Sequence, residues 1–173
     1  GGDCGAGDSH SHRPMDAALA GVVQAFADAP VDNPGAPGSG IRLWVQVDEA
    51  LGHQQNCDLD AVCFDVIKQS NFGTAAERAG VQTVSAKRLL FRYNLWVHDK
   101  NPGNTSSGEA DGEAGVTGDD FIVSLGSWGG PQSTGTLADQ TGTFMHELGH
   151  TLGLGHGGGD NKNCKPNYLS VMS

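Results

Sequence analysis

The sequence predicts a mixed α/β (α+β) domain, because helical and extended patterns follow one another along a single chain of 173 residues. Three observations carry that expectation. Apolar residues recur at helical spacing near both ends, and they alternate with polar ones at 41–47 and 89–98. The 27 glycines follow no fixed period, which excludes collagen and repeat arrays and points to a loop-rich architecture. A chain of this length forms one domain, residues 1–173, with enough apolar residues for a core.

The elements follow in order. Residues 1–13 are small and polar and read as an irregular arm, with His10 and His12 solvated. Pro14 suits the first position of a helix, and Met15, Ala18, Leu19, Val22, Val23 and Phe26 keep helical spacing as far as Pro30. Residues 34–40 are a Pro/Gly turn region. Ile41, Leu43, Val45 and Val47 alternate with Arg42, Trp44 and Gln46 and predict a half-buried strand. A second helix is expected over 60–72 through Val62, Val66 and Ile67, and Thr74 with Glu77 makes a capping box for a short third one. Leu89, Phe91, Tyr93, Leu95 and Val97 give the clearest strand pattern, over 89–98. Residues 101–118 read as a long polar loop, 120–128 as a shorter strand, and Thr136 with Asp139 as the start of a last helix running to about Gly153.

Charge and composition narrow the function. A formal charge of −10 with only ten scattered Lys and Arg excludes a nucleic-acid partner, and no apolar run is long enough to enter a membrane. The chain begins without Met or a signal peptide, as a processed segment would. Four cysteines suit an oxidising, extracellular compartment; Cys57 and Cys63 are close enough to pair, leaving Cys4 with Cys164.

The last helix carries the chemistry, in the segment His146-Glu147-Leu148-Gly149-His150-Thr151-Leu152-Gly153-Leu154-Gly155-His156. On a helix His146 and His150 lie about 40° apart and one turn above each other, so both imidazoles can reach one metal. Glu147 lies about 100° round, beside that position. Leu137, Thr141, Phe144, Leu148 and Leu152 gather on the opposite face and predict the side that packs into a core. Were the helix to continue, His156 would sit about 9 Å past His150 and point elsewhere. Gly153 resolves this, because glycine takes the left-handed conformation that ends a helix and turns the chain back. Three neutral histidines leave one tetrahedral position open, as a catalytic zinc requires, and Glu147 is placed to act as general base on a water.

This motif resembles the zinc signature of the metzincin clan of metallopeptidases, at every fixed position. The resemblance implies a zinc-dependent endopeptidase with a small twisted sheet, an active-site helix and a loop-rich C-terminal subdomain, here truncated. It also implies a Met-turn, which 168–173 matches through Met172, and an antiparallel edge strand along which substrate lies extended. Residues 120–128 are similar in position to that strand, which would place Ile122, Val123, Ser124, Leu125 and Gly126 along the substrate. The likeness runs from 89–98 through Met172 and is to secreted bacterial metzincins, with matrixin-like and pappalysin-like subfamilies both open. Gly157 matches no subfamily-marking residue. The chain stops one residue past Met172, where metzincins normally continue, and Tyr168 does not match the tyrosine some of them place after the methionine.

The resemblance leaves alternatives to an active, secreted, monomeric peptidase acting on proteins or peptides. One is a zinc-bound but latent or inactive form, blocked by the arm (Cys4 being a conceivable zinc ligand) or lacking its C-terminal segment. Another is a non-catalytic binding module on the same fold, against which the retained Glu147 argues. Acidic clusters at Asp58/Asp60, Glu109/Asp111/Glu113, Asp119/Asp120 and Asp160 read as solvated loops in preference to Ca2+ sites. His53 and His98 read as structural, and Trp44, Trp96 and Trp128 as core or strand-face aromatics.

Overall fold

A computed structural model describes residues 10–35, 40–166 and 168–172. Helix α1 (Asp16–Ala27) comes first, followed after a long irregular stretch by α2 (Val62–Asn71), α3 (Ala75–Arg78) and α4 (Val81–Leu90). The strands among the described residues are β1 (Tyr93–Val97), β2 (Gly108–Ala110) and β3 (Asp120–Ser124); 3-10 turns then lead to α5 (Leu137–Thr151). The mixed α/β class is therefore as the sequence predicts.

The sheet order is β1-β3-β2, with β3 parallel to β1 and antiparallel to β2. β3 is buried on both faces, which is why its sequence Phe121-Ile122-Val123 is a continuous apolar run instead of an alternation. Phe121 and Val123 join Leu19, Val22, Leu125, Phe144 and Leu148, so α1 and α5 pack on that side. Ile122 turns the other way, onto Leu95, Val97, Phe64 and Cys57. The Cys57–Cys63 disulfide ties down the chain entering α2 on this second face. Cys164 is exposed and carries no disulfide among the described residues; Cys4 lies outside them, as do the first nine residues and Ser173.

Several expectations change. Residues 41–47 form no strand and pair with none among the described residues: Leu43 and Val45 pack against the core, while Trp44 points outward and is 83% exposed. Pro14 precedes the helix, whose N-cap is Met15. α2 buries Phe64 and Lys68 and leaves Val62 and Val66 exposed. Lys68 Nζ sits 2.7 Å from Asp119 Oδ2 and also contacts Asp120 Oδ1, so an ion pair together with Phe64 and Ile67, and not the two valines, fixes that helix on β3. The strand expected over 89–98 is only five residues long, because 81–90 is helical; Leu89 and Leu90 are both 80% exposed, so their alternation reflects no buried face. The loop over 101–118 contains β2, a strand with no strand-forming residues of its own that exists by pairing with β3. On α5, Phe144 and Leu148 are buried, but Leu137 and Leu152 at the two ends are exposed.

Of the four remaining histidines His98 is buried, His10 and His12 are half-buried and His53 is exposed, yet none stands alone. His10, His12, His53 and His98 converge, with their ring nitrogens within 4.8 Å of one another. No described helix is long and apolar enough to cross a membrane.

Candidate metal centre

α5 starts at Thr136, whose Oγ1 accepts the Asp139 N–H at 3.2 Å while Asp139 Oδ2 accepts the Thr136 N–H at 2.8 Å. That capping box sets the register of a 15-residue helix whose buried side chains press on β3. His146 and His150 then emerge one turn apart, their Nε2 atoms 3.0 Å from each other. The helix ends as expected: Gly153 has φ +86°, in the left-handed region. Its N–H donates to His150 O at 2.8 Å and the Leu154 N–H to Gly149 O at 3.0 Å, a Schellman closure. The reversal brings the His156 ring to 5.2 Å from His146 and 4.8 Å from His150, centroid to centroid. All three histidines offer a ring nitrogen within one 4.8 Å cluster.

The chemistry of these donors fits a cation. His146 Nδ1 lies 2.7 Å from Val171 O, and His150 Nδ1 2.8 Å from Leu154 O. A carbonyl oxygen can only accept, so both Nδ1 atoms carry a proton, and in the neutral imidazoles both Nε2 atoms are bare lone pairs. Two lone pairs facing at 3.0 Å have no proton to share, whereas a metal ion accepts both. Burial keeps His150 below the ordinary imidazole pKa, the neighbouring His146 and His156 adding to the effect while the Leu154 carbonyl opposes it; the neutral, ligating form is thereby favoured.

Met172 is 2% exposed and packs against α5 at Gly149, the residue before His150. A Cβ on Gly149 would stand 2.5 Å from Met172 Sδ, so the methionine can approach only because that helix position is bare. The preceding carbonyl, Val171 O, is the one that orients His146.

Glu147 is 5% exposed and its carboxyl is pushed up to about 8 by burial, with Lys100 opposing the rise and Glu109 adding to it. Lys100 is itself paired with Glu109 at 2.7 Å. β2 passes directly alongside: a Cβ on Gly108 would be 2.7 Å from Glu147 Cγ. The Ser106 and Ser107 carbonyls bond Ser124 at 2.9 and 2.7 Å, and Thr105 O accepts the Trp128 indole N–H at 2.9 Å, which fixes this segment in place.

The expected edge strand is corrected by this arrangement. Ile122, Val123, Ser124 and Leu125 are buried on or just after the central strand, and Gly126 opens a 3-10 turn. Being hydrogen-bonded on both sides, β3 has no edge to offer; the strand beside Glu147 whose outer edge pairs with no other among the described residues is β2. Sequence reasoning missed it because Gly108-Glu109-Ala110 carries no strand signal, although lying between the two flanking strands was itself a hint.

The carboxylates of Asp111, Asp119 and Asp120 also cluster. Lys68 contacts Asp119 and Asp120, and Asp111 accepts the backbone N–H groups of Asp119 and Asp120 at 3.2 and 3.1 Å.

A model of the family described as Peptidase M66 matches residues 85–171, a stretch beginning within α4 and ending one residue before Met172. No curated protein and no solved structure matches the chain.

Proposed function

The chain belongs to the Peptidase M66 family, a family of metallopeptidases, and from that premise we propose that it is a zinc-dependent endopeptidase of the metzincin type. The observation that carries the reading is the pair of bare Nε2 atoms on His146 and His150, with His156 returned to them by the turn at Gly153. His146, His150 and His156 would hold the ion, and Met172 would be the Met-turn residue supporting them from below. Zinc bound there would supply Lewis acidity toward a water and toward the scissile carbonyl.

The chain's own residues account for the rest. Substrate would lie extended along the free edge of β2, adding a strand to the sheet and bringing its backbone past Glu147. Glu147 takes a proton onto its carboxylate from the attacking water and delivers it to the departing amine. The buried wall around it, from β2 and α5, excludes bulk water and keeps that carboxylate basic. We place the whole chain in one catalytic domain, and the Cys57–Cys63 disulfide supports a secreted protein.

Hydrolysis of casein tests this, with and without a zinc chelator and with Glu147→Gln. The chelator should abolish cleavage, and the variant should keep its metal while losing about 10²–10⁴-fold in rate, the usual worth of a general base. Cleavage that survives both treatments would overturn the mechanism, and metal-loaded protein that cleaves nothing would support a latent form.

A further inference from the structure

The four histidines outside the proposed catalytic centre form a second constellation. His10 and His12 come from the arm before α1, His53 from the irregular stretch before α2, and His98 from the residue after β1. Their converging atoms are Nε2 of His10, His12 and His53 and Nδ1 of His98. The separations are 2.9 Å for His10–His12, 3.0 Å for His12–His53, and 3.2 Å for His10–His53, His10–His98 and His12–His98.

Hydrogen bonding cannot account for this pattern. A neutral imidazole nitrogen either carries one proton or offers one lone pair. Four such atoms can make two hydrogen bonds at most, yet five pairs lie within hydrogen-bond distance. The other contacts would set lone pair against lone pair, or proton against proton. Protonation would make matters worse, by gathering positive charges in a partly buried place.

A tetrahedral ion does account for it. Zinc–nitrogen bonds of about 2.0–2.1 Å place the four ligand atoms of a tetrahedron about 3.3 Å apart, close to the separations here. A square-planar set would make two of the six separations long diagonals, and no more than one can be long in this group. The far nitrogen of His98, Nε2, stands 3.9 Å from Asp99 Oδ2, beyond hydrogen-bond distance but with a carboxylate on the outer side of the ring. Asp99 is in turn held by the Ser127 hydroxyl at 3.1 Å.

We propose that His10, His12, His53 and His98 form a second metal site, closed and structural, that binds Zn2+ through four imidazole nitrogens. With four protein ligands no position is left for water or substrate, so the site has no catalytic role. Its effect is to staple the arm and the 53 region to the end of β1. α1 follows the arm directly, packs against α5, and is anchored where the Met15 N–H meets Gln140 Oε1 at 2.8 Å. The second ion thus fixes the layer that backs the catalytic helix.

The test is metal stoichiometry on the full chain, after loading with Zn2+ or Co2+ and dialysis, in four forms. Wild type should retain two ions, and His146→Ala/His150→Ala one. The ion left in that variant should show all-nitrogen, four-coordinate X-ray absorption. His12→Gln/His53→Ala, in which both changes fall outside helices and strands, should also retain one, with a lower thermal midpoint than wild type. His53→Cys should keep the second equivalent, since a thiolate can take the place of imidazole on zinc but not of a merely packed histidine. One ion in wild type and none in His146→Ala/His150→Ala would overturn the second site while leaving the catalytic one intact. Two ions in wild type and still two in His12→Gln/His53→Ala would overturn it equally.

Discussion

Gly149 stands immediately before His150, and its missing side chain is where helix stability and metal support compete. Alanine there would gain about 1 kcal/mol of helix propensity over glycine. Its Cβ would also arrive 2.5 Å from Met172 Sδ and 3.1 Å from Cε, an overpacking that costs about 1–3 kcal/mol. The second effect should win, giving a net loss of about 1 kcal/mol for Gly149→Ala in chemical denaturation. The displaced Met172 adjoins Val171, whose carbonyl orients His146, so zinc affinity should also fall by about tenfold in competition with a chelator, as for other lost outer-shell contacts. Unchanged affinity would show that the 171–172 turn does not support the ligand. None of this was visible in the residue itself: Gly149 is a non-ligand position of the motif, and its constraint comes from a residue 23 positions later.

α5 and α3 begin with the same device, and they should respond differently to its removal. Thr136→Ala deletes the acceptor of the Asp139 N–H, at a cost of about 1 kcal/mol. Because α5 carries Phe144 and Leu148 into the core, that loss should shift the urea midpoint of the whole domain with an unchanged slope. Thr74→Ala makes the equivalent change on α3, four residues with no buried side chain, and should fray that turn without moving the midpoint. Equal shifts would mean that α3 belongs to the cooperative core. Both capping boxes were legible in the sequence because their partners are three residues apart; so were the one-turn spacing of His146 and His150 and the reversal at Gly153. What could not be read depends on distant pairing. β2 takes its form from β3, the central place of β3 follows from strand order, and 41–47 has strand-like alternation but pairs with no strand among the described residues. The histidine cluster joins residues as far apart as 10 and 98, so no local spacing announced it.

Across the whole molecule, Lys68 and the aspartates at the head of β3 lock α2 to the sheet, and this lock should leave a mark on stability against pH. Asp120 is pushed up from 3.8 to about 6, chiefly by burial, with the Lys68 hydrogen bond and charge opposing and Asp119 and Asp111 adding to the rise. Between those two values the folded chain holds a proton on Asp120 that the unfolded chain has released. The contribution is therefore fully present below 3.8 and is lost as pH climbs through about 6. Other carboxyls pull the opposite way: Glu77 is held down at about 2, first by the Thr74 backbone N–H, and Asp160 is held down by Lys165. The total curve consequently does not isolate the effect, but the difference between wild type and Asp120→Asn does. Thermal midpoints of the two, taken from below pH 4 to above pH 6, should diverge, with wild type losing ground to the variant as pH rises. Parallel curves would mean that Lys68 compensates Asp120 fully and that the lock is silent to pH. A wild type that gains on the variant over this range would reverse the sign and make the ion pair, not burial, the dominant influence on this carboxylate.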